Sequence, residues 1–199
     1  KKEEINAIAD KIHKARKSII PDFTKEVETR IADLGMPNAR LKIDLVKQEE
    51  FLATGKDKLS WQLSANKGGA FSDIKKAASG GELSRIMLAV KSILARESNL
   101  PTIIFDEIDT GVSGDIAKKM GNILQKMGAS MQVIAITHLP QIAGKGSSHF
   151  KIFKKSLEDK TVTRITELQP EERVEELVLM LGGETGSKSA IEHAKSLLN

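Results

Sequence analysis

The sequence has 199 residues, of which 40% are hydrophobic and 29% are charged, a balance that is typical of globular proteins and excludes a disordered or collagen-like chain. The absence of cysteine excludes disulfides and thiolate metal sites and is consistent with a reducing cytoplasm, while the net charge of +4 is compatible with a DNA partner. No apolar run approaches the roughly 18 residues of a membrane span, and the chain starts without an export-signal pattern, so we expect no membrane partner.

The first predicted element is a helix whose apolar residues recur at alternating steps of three and four, the heptad spacing of a coiled coil. These residues are Ile5, Ile8, Ile12, Ala15 and Ile19. Because fewer than three or four heptads are visible, an ordinary amphipathic helix is an equal alternative. We expect Pro21 to end this helix and a second one to follow over residues 23–34, ending at Gly35.

Two segments that alternate apolar and polar residues follow, 41–46 and 59–63, and both predict strands with one buried face. A loop containing glycine and lysine covers residues 66–76. The apolar positions between Leu83 and Leu94 then predict a helix that begins just after Gly80-Gly81.

The second half of the chain predicts a βαβ unit. Its strands are the wholly apolar run 102–105, expected to be buried on both faces of a parallel sheet, and residues 132–136, with a helix over 116–127 between them. A hairpin of strands 149–153 and 162–168, turning through Glu158-Asp159-Lys160, and helices over 174–181 and 190–198 complete an α/β fold.

The segment Ser79-Gly80-Gly81 lies where a loop turns into an amphipathic helix. Glycines let a ligand approach the backbone closely, and the unpaired N–H groups of a helix N-terminus bind anions. Taken alone, the same residues could equally form a flexible turn with a serine N-cap.

Three carboxylates, Asp106, Glu107 and Asp109, follow the apolar run, at the strand ends where open α/β sheets bind ligands. They would repel one another without a cation, so a metal such as Mg²⁺ is the economical explanation; capping of the next helix is the alternative. His138 follows the next buried strand and is expected at the same edge, although a single histidine is more often structural.

In this order and spacing, a Ser-Gly-Gly-Glu signature, a strand ending in Asp-Glu, an Asp-containing loop and a strand ending in Thr-His resemble the C-terminal lobes of ABC-type ATPases. The forms ASGGELSR, FDEIDTGVSG and ITHLPQIA are similar to SMC-like proteins of bacterial double-strand-break repair. The likeness runs from about Met36 through the closing helices. It implies the C-terminal lobe of an ABC/SMC-type P-loop ATPase head, a parallel sheet flanked by helices, over residues 21–199, with the end of a coiled-coil arm over residues 1–20.

The resemblance also implies a nucleotide site that is shared between two heads. Ser79, Gly80 and Gly81, with Glu82 of the same motif, would contact the γ-phosphate of ATP held by a second head in an ATP-dependent homodimer. Asp109 would bridge the two heads. DNA is implied as a further partner, and the cytoplasm, near the bacterial nucleoid, as the location.

The remaining residues of the motif are implied to carry the chemistry. Asp106 would organise Mg²⁺, Glu107 would position and polarise the attacking water, and His138 would sense the γ-phosphate. These are the positioning and charge-stabilising parts that phosphoryl transfer needs.

The phosphate-binding motif G-x-x-x-x-G-K-[ST] is absent. Residues 183–189 imitate it but lack the second glycine at the required spacing, and they are predicted to be a turn between helices with Ser187 as the N-cap. In the SMC-like family the phosphate loop belongs to an N-terminal Walker A lobe beyond the coiled coil. We therefore expect this chain alone not to hydrolyse ATP.

Three alternatives are open. The chain could come from another SMC-like or RecF-like DNA ATPase, or it could be a non-catalytic lobe that only clasps a partner's nucleotide. Glu107 argues against the second possibility, because such a lobe needs no water-positioning carboxylate. A transporter's nucleotide-binding domain is disfavoured by the heptad pattern and the missing phosphate motif.

Overall fold

The computed structural model describes residues 1–156, 160–184 and 186–198. The chain divides into two compact units, residues 1–93 and 94–199, and each is described by itself. Both contain helices and strands, so the predicted α/β class is confirmed. The units do not follow the predicted division at residue 20, and that division into arm and lobe stays a prediction.

The first unit consists of a long helix, an antiparallel sheet in the order β1-β2-β3 and two further helices. In chain order these are α1 (Lys2–Asp33), β1 (Arg40–Leu52), β2 (Gly55–Ser64), β3 (Ser72–Asp73), α2 (Ile74–Ala77) and α3 (Gly80–Glu97), which continues into the second unit. The strands β1 and β2 are longer than predicted and form a hairpin that turns between Leu52 and Gly55. The short strand β3 was not predicted.

The prediction that Pro21 ends the first helix is wrong. The helix α1 runs through Pro21 without interruption. A proline inside a helix removes one backbone hydrogen bond and crowds the preceding turn, at a cost of about 3 kcal/mol. Contacts of α1 with β1, β2 and the apolar cluster of the first unit, made on both sides of Pro21, offset this local cost.

The C-terminal half of α1 packs into the apolar core of the first unit. Val27 and Ile31 are fully buried there, in a cluster with residues from β1, β2 and α3. Glu28 accepts a hydrogen bond from the backbone N–H of Leu41 at 2.7 Å, which fixes the start of β1 against the helix. Residues 23–33 are therefore helical, as predicted, but they belong to α1 and do not form a separate helix.

The N-terminal half of α1 contacts the outer part of the hairpin through polar side chains. Asp57 on β2 is buried, and its carboxylate lies 2.6 Å from His13 Nδ1 and accepts a hydrogen bond from Arg16 at 3.0 Å. Lys47 on β1 pairs with Asp10 at 2.6 Å. Three residues of the heptad seam remain exposed, namely Ile5, Ile8 and Ile19.

The second unit contains the predicted βαβ arrangement. Its elements are β4 (Thr102–Asp106), α4 (Gly114–Gly128), β5 (Gln132–Ile136), α5 (Pro140–Ala143), β6 (Phe150–Ser156), β7 (Thr161–Glu167), α6 (Pro170–Met180) and α7 (Lys188–Leu198). The strands β4 and β5 are parallel and in register from Thr102 opposite Gln132 to Asp106 opposite Ile136. The carboxyl ends of both strands therefore lie side by side.

The prediction that β4 is buried on both faces of the sheet is wrong. Phe105 is 1% exposed, but Ile104 is 57% exposed, and its neighbours Ile134 and Ile136 on the same face of the sheet are 43% and 46% exposed. This face of the two-stranded sheet is therefore open to solvent, because these three side chains remain about half exposed. We call the surface formed by Ile104, Ile134 and Ile136 the open face.

The strands β6 and β7 form the predicted antiparallel hairpin, with Phe150 opposite Glu167 and Ser156 opposite Thr161. Two of the predicted turn residues, Glu158 and Asp159, lie outside the described residues. The helices α6 and α7 pack around Leu177, Val178 and Ala194. No helix within the described ranges is both long enough and apolar enough to cross a membrane.

Candidate functional site

The start of α3 has the geometry of a capped helix. The carboxylate of Glu82 accepts hydrogen bonds from the backbone N–H and the hydroxyl of Ser79, at 2.8 and 2.9 Å. In return, Glu82 N–H lies 3.4 Å from the Ser79 hydroxyl oxygen. The alternative of a serine N-cap is therefore realised, and it leaves the anion-binding prediction open, because capping and ligand binding use different N–H groups of the first turn.

The glycines of the motif differ in their surroundings. Gly81 is buried, whereas Gly80 is exposed, and a Cβ added to Gly80 would meet nothing within 4 Å. The helix N-terminus is thus accessible to a ligand at Gly80. The motif lies in the first unit and the acidic residues lie in the second, so the roles of Ser79, Gly80, Gly81 and Glu82 toward a nucleotide stay predictions.

The three predicted carboxylates do not form one cluster. Asp106 and Glu107 are exposed at the end of β4, whereas Asp109 is 1% exposed and its carboxylate is turned into the protein. Among the described residues, no group of three or more acidic or histidine side chains is arranged to hold a metal ion. The expectation of a cation shared by three acids is therefore wrong, because burial separates Asp109 from the other two.

The residues present are nevertheless compatible with Mg²⁺. This ion usually keeps several waters and is bound by one or two carboxylates together with the phosphates of the substrate. The exposed carboxylate of Asp106 at the strand end fits this requirement without a complete cage of protein ligands.

Glu107 has a left-handed backbone conformation, with φ of 47°. Such a conformation is uncommon for residues other than glycine and costs on the order of 1 kcal/mol or more. Thr110 stabilises the turn by donating two hydrogen bonds to the carbonyl oxygen of Glu107, from its backbone N–H at 3.3 Å and from its hydroxyl at 3.0 Å. Strained conformations of this kind cluster at functional sites.

His138 lies at the same edge of the sheet as the acids, as predicted, and it is held by Asp109. The Oδ2 atom of Asp109 accepts hydrogen bonds from the Thr137 hydroxyl and, at 3.2 Å, from the backbone N–H of His138. The same oxygen lies 3.4 Å from His138 Nδ1, while the His138 side chain is 73% exposed.

This geometry does not favour the bridging role that the resemblance implied for Asp109. A carboxylate that is buried and bonded within its own chain is not presented to a second head. Thr137, which joins Asp109 to the His138 segment, was not among the predicted site residues. The sequence signal that could have indicated this role is the polar Thr137 directly before His138, after the apolar residues of β5.

The backbone after His138 is fixed by close packing. Leu139 N–H donates to the Thr137 hydroxyl oxygen at 3.0 Å, and α5 begins at Pro140. A Cβ on Gly121 of α4 would lie 2.8 Å from the carbonyl oxygen of Gln141, so only glycine allows α4 and α5 to approach this closely. The helix pair thus fixes the position of the His138 loop.

The segment that imitates a phosphate loop connects α6 and α7, as predicted. Gly182 and Gly186 have positive φ values of 72° and 105°, and Ser187 precedes the first residue of α7. The Ser187 hydroxyl oxygen lies 3.5 Å from Ala190 N–H, at the N-cap position. Thr185 of this segment lies outside the described residues.

Comparison with known proteins finds relatives that match nearly the whole chain. No protein-family model matches it. It is 38% identical over 193 residues to the DNA repair protein RecN of Vibrio cholerae and 40% identical over 192 residues to that of Rickettsia conorii, and each match covers 96% of this chain and 35% of the relative. The chain belongs to the RecN family. It spans about a third of the length of these RecN relatives.

Solved structures support the fold. The Smc head domain of Pyrococcus yayanosii, determined with a coiled coil and joint, matches 88% of this chain with a TM-score of 0.63 at 23% identity. A chain from a study of ATP-driven dimerisation of SMC ATPases matches 87% of this chain and is itself covered to 99%, with a TM-score of 0.58 at 17% identity. The RecN-family chain therefore has the fold of an SMC-type head lobe.

Proposed function

We propose that this chain contributes half of an ATP-hydrolysing, SMC-like head that acts in bacterial DNA double-strand-break repair and recombination. The substrate is ATP with Mg²⁺, and the site is completed by a Walker A lobe of the same protein and by a second head. The relatives that match nearly the whole chain carry the name DNA repair protein RecN, which supports the process.

The strained, exposed Glu107 is the observation that carries this proposal. The strand β4 ends at Asp106, and the next residue turns with φ of 47° while its carboxylate stays accessible. A purely structural turn gains nothing from a glutamate in this conformation, since glycine or asparagine would be less strained. A carboxylate that positions and polarises the attacking water accounts for the residue.

The neighbouring side chains supply complementary functions. Asp106 would bind Mg²⁺, and that ion, when bound, supplies neutralisation of the charge on the transferred phosphoryl group. His138 presents its exposed imidazole at the adjacent strand end and would contact the γ-phosphate. The accessible N-terminus of α3 at Gly80, with Ser79 and Gly81, would contact the phosphates of ATP bound to the second head.

The open face supports the Walker A lobe as a partner. Ile104, Ile134 and Ile136 expose apolar surface along two parallel strands, and parallel sheets are normally covered on both faces. The Walker A lobe would cover this face and bring the phosphate-binding loop to the strand ends. DNA is the further partner, in the bacterial cytoplasm near the nucleoid.

The test is Glu107→Gln in the full-length protein. We expect ATP binding to stay within about threefold of wild type and the hydrolysis rate to fall by about 10²-fold or more, because the substitution removes the base but little ground-state contact. Single-turnover hydrolysis and equilibrium binding of ATP measure the two quantities.

Asp115→Asn is the matched control, because Asp115 is an exposed acid that pairs with Lys119 at 3.3 Å at the start of α4. It should leave both quantities unchanged. Wild-type hydrolysis by the Glu107→Gln protein would refute the role of Glu107. Absence of hydrolysis in the wild-type protein, with ATP-dependent dimers present, would favour the non-catalytic clasping lobe.

A further inference from the structure

The contacts around Asp109 point to a function other than the bridge between heads. Its carboxylate is buried at 1% exposure and is surrounded by the segment that carries His138. Within the described residues, its polar contacts are made by one oxygen, Oδ2: with the Thr137 hydroxyl, with the His138 backbone N–H at 3.2 Å and, at 3.4 Å, with His138 Nδ1.

The other carboxylate oxygen of Asp109 is in a position that lowers the stability of the fold. Asp109 Oδ1 is buried and has no hydrogen-bond partner among the described residues. A buried carboxylate oxygen without a partner destabilises the folded protein, so Asp109 is a poor choice for a purely structural position. Its carboxylate is explained if the neighbouring imidazole needs it.

We propose that Asp109 and Thr137 are positioning residues for His138. The carboxylate favours the form of the imidazole that carries a proton on Nδ1, because an N–H facing Oδ2 is attractive whereas a nitrogen lone pair facing it is repulsive. The other nitrogen, Nε2, then faces outward with the exposed part of the ring. Thr137 holds Oδ2 in place and joins the end of β5 to the Asp109 loop.

The consequence concerns how His138 meets its ligand. A histidine whose Nδ1 is engaged by a carboxylate offers Nε2 in a fixed direction and in one tautomer. Because the ring is already ordered before the ligand binds, ligand binding costs less conformational entropy than it would with a freely rotating ring. This inference rests on the proposed function for the catalytic role of Nε2, but the positioning itself is a property of this chain.

The first experiment does not depend on ATP hydrolysis. In the full-length protein, diethyl pyrocarbonate acylates accessible, unprotonated imidazole nitrogens, and mass spectrometry resolves each histidine. Exposed His193 on α7 is the internal reference, and half-buried His149 reports whether the fold is intact. We expect the His138-to-His193 reactivity ratio to fall at least about threefold in Asp109→Asn, because the outward lone pair on Nε2 is no longer enforced.

Thr137 provides a milder and matched pair of variants. Thr137→Val removes the hydroxyl at nearly constant shape and should lower the same ratio, whereas Thr137→Ser keeps the hydroxyl and should stay within about twofold of wild type. His149 should remain weakly reactive in all of them. Ratios within twofold of wild type in both Asp109→Asn and Thr137→Val would overturn the proposal.

The second experiment is a double-mutant cycle on ATP hydrolysis. Asp109→Asn should lower kcat by at least about tenfold with little change in KM, and the same change in a His138→Gln background should cost less than about twofold. Equal losses in both backgrounds would show that Asp109 acts independently of His138. If the wild-type protein does not hydrolyse ATP, the proposed function fails, and the reactivity ratios still decide the positioning.

Discussion

The two halves of α1 are held to the same hairpin region by different forces. The C-terminal half buries Val27 and Ile31 completely in an apolar cluster. The N-terminal half leaves Ile5 and Ile8 exposed and is attached to the hairpin through charged and polar side chains, with Asp57 at the centre. The attachment of the C-terminal half therefore depends mainly on apolar burial, whereas the attachment of the N-terminal half depends more strongly on salt and pH.

The largest loss of stability should come from a substitution in the apolar, C-terminal half of α1. Ile31→Ala removes a fully buried side chain, and we expect the free energy of unfolding of this chain to fall by about 2–5 kcal/mol, since a cavity replaces buried methyl groups. Urea unfolding at low and high salt measures it. Exposed Ile19→Ala is the control and should cost much less; similar losses for both would show that the C-terminal half is not the apolar anchor.

A smaller effect, with a pH signature, should come from Asp57→Asn. Burial raises the pKa of Asp57, but the hydrogen bonds from His13 and Arg16 outweigh it and hold the pKa below its usual value. The carboxylate therefore stabilises the fold above the usual aspartate pKa of about 3.9, and this contribution is lost as the pH falls through the lower folded-state pKa.

We expect the substitution to cost about 1–3 kcal/mol at pH 7 and less as the pH approaches 3. Unfolding at several pH values measures the trend. Asp44→Asn on the same hairpin, where Asp44 pairs with Lys42 at 3.3 Å in a more exposed position, should change stability by less than about 1 kcal/mol. A cost for Asp57→Asn that is independent of pH would refute this account.

The smallest effect should come from the pair of Lys47 with Asp10, in which both side chains are about half exposed. The Lys47 ammonium, through its hydrogen bond and its charge, lowers the pKa of Asp10. Solvent screens such a pair, so Asp10→Asn should lower the stability only slightly, less than Asp57→Asn does, and the loss should disappear in concentrated salt. A salt-independent loss as large as that of Asp57→Asn would mean that the N-terminal half is held by more than polar contacts.

Local patterns predicted some elements closely and others poorly. The strand β5 has the predicted bounds, because its run of apolar residues is sufficient to define a strand next to β4. The hairpin strands extend beyond the predicted segments, because their outer residues pair with α1 and with each other rather than with the core. The continuity of α1 through Pro21 depends on those same tertiary contacts, which no local rule contains.

The candidate site could likewise be predicted only as far as local sequence patterns define it. The sequence placed Asp106, Glu107 and His138 at one sheet edge, because strand ends in a βαβ unit can be located from apolar runs. It could not separate Asp109 from its two acidic neighbours. Asp109 is buried and accepts a hydrogen bond from Thr137, which is 28 positions away in the sequence, and no local pattern contains such a contact.

Pro21 gives the long helix a point of low bending stiffness, because the carbonyl of Lys17 loses the intrahelical donor that another residue at position 21 would supply. The hairpin attaches on both sides of that point: Asp57 contacts His13 and Arg16 before it, and Trp61 packs edge-on against Phe23 after it, with ring centroids 5.8 Å apart. The hairpin thus supports the helix on both sides of Pro21. Bending of α1 at Pro21 would therefore have to change contacts with the hairpin on at least one side of the proline, and a lateral load on the N-terminal part of the helix is shared between its backbone and the hairpin.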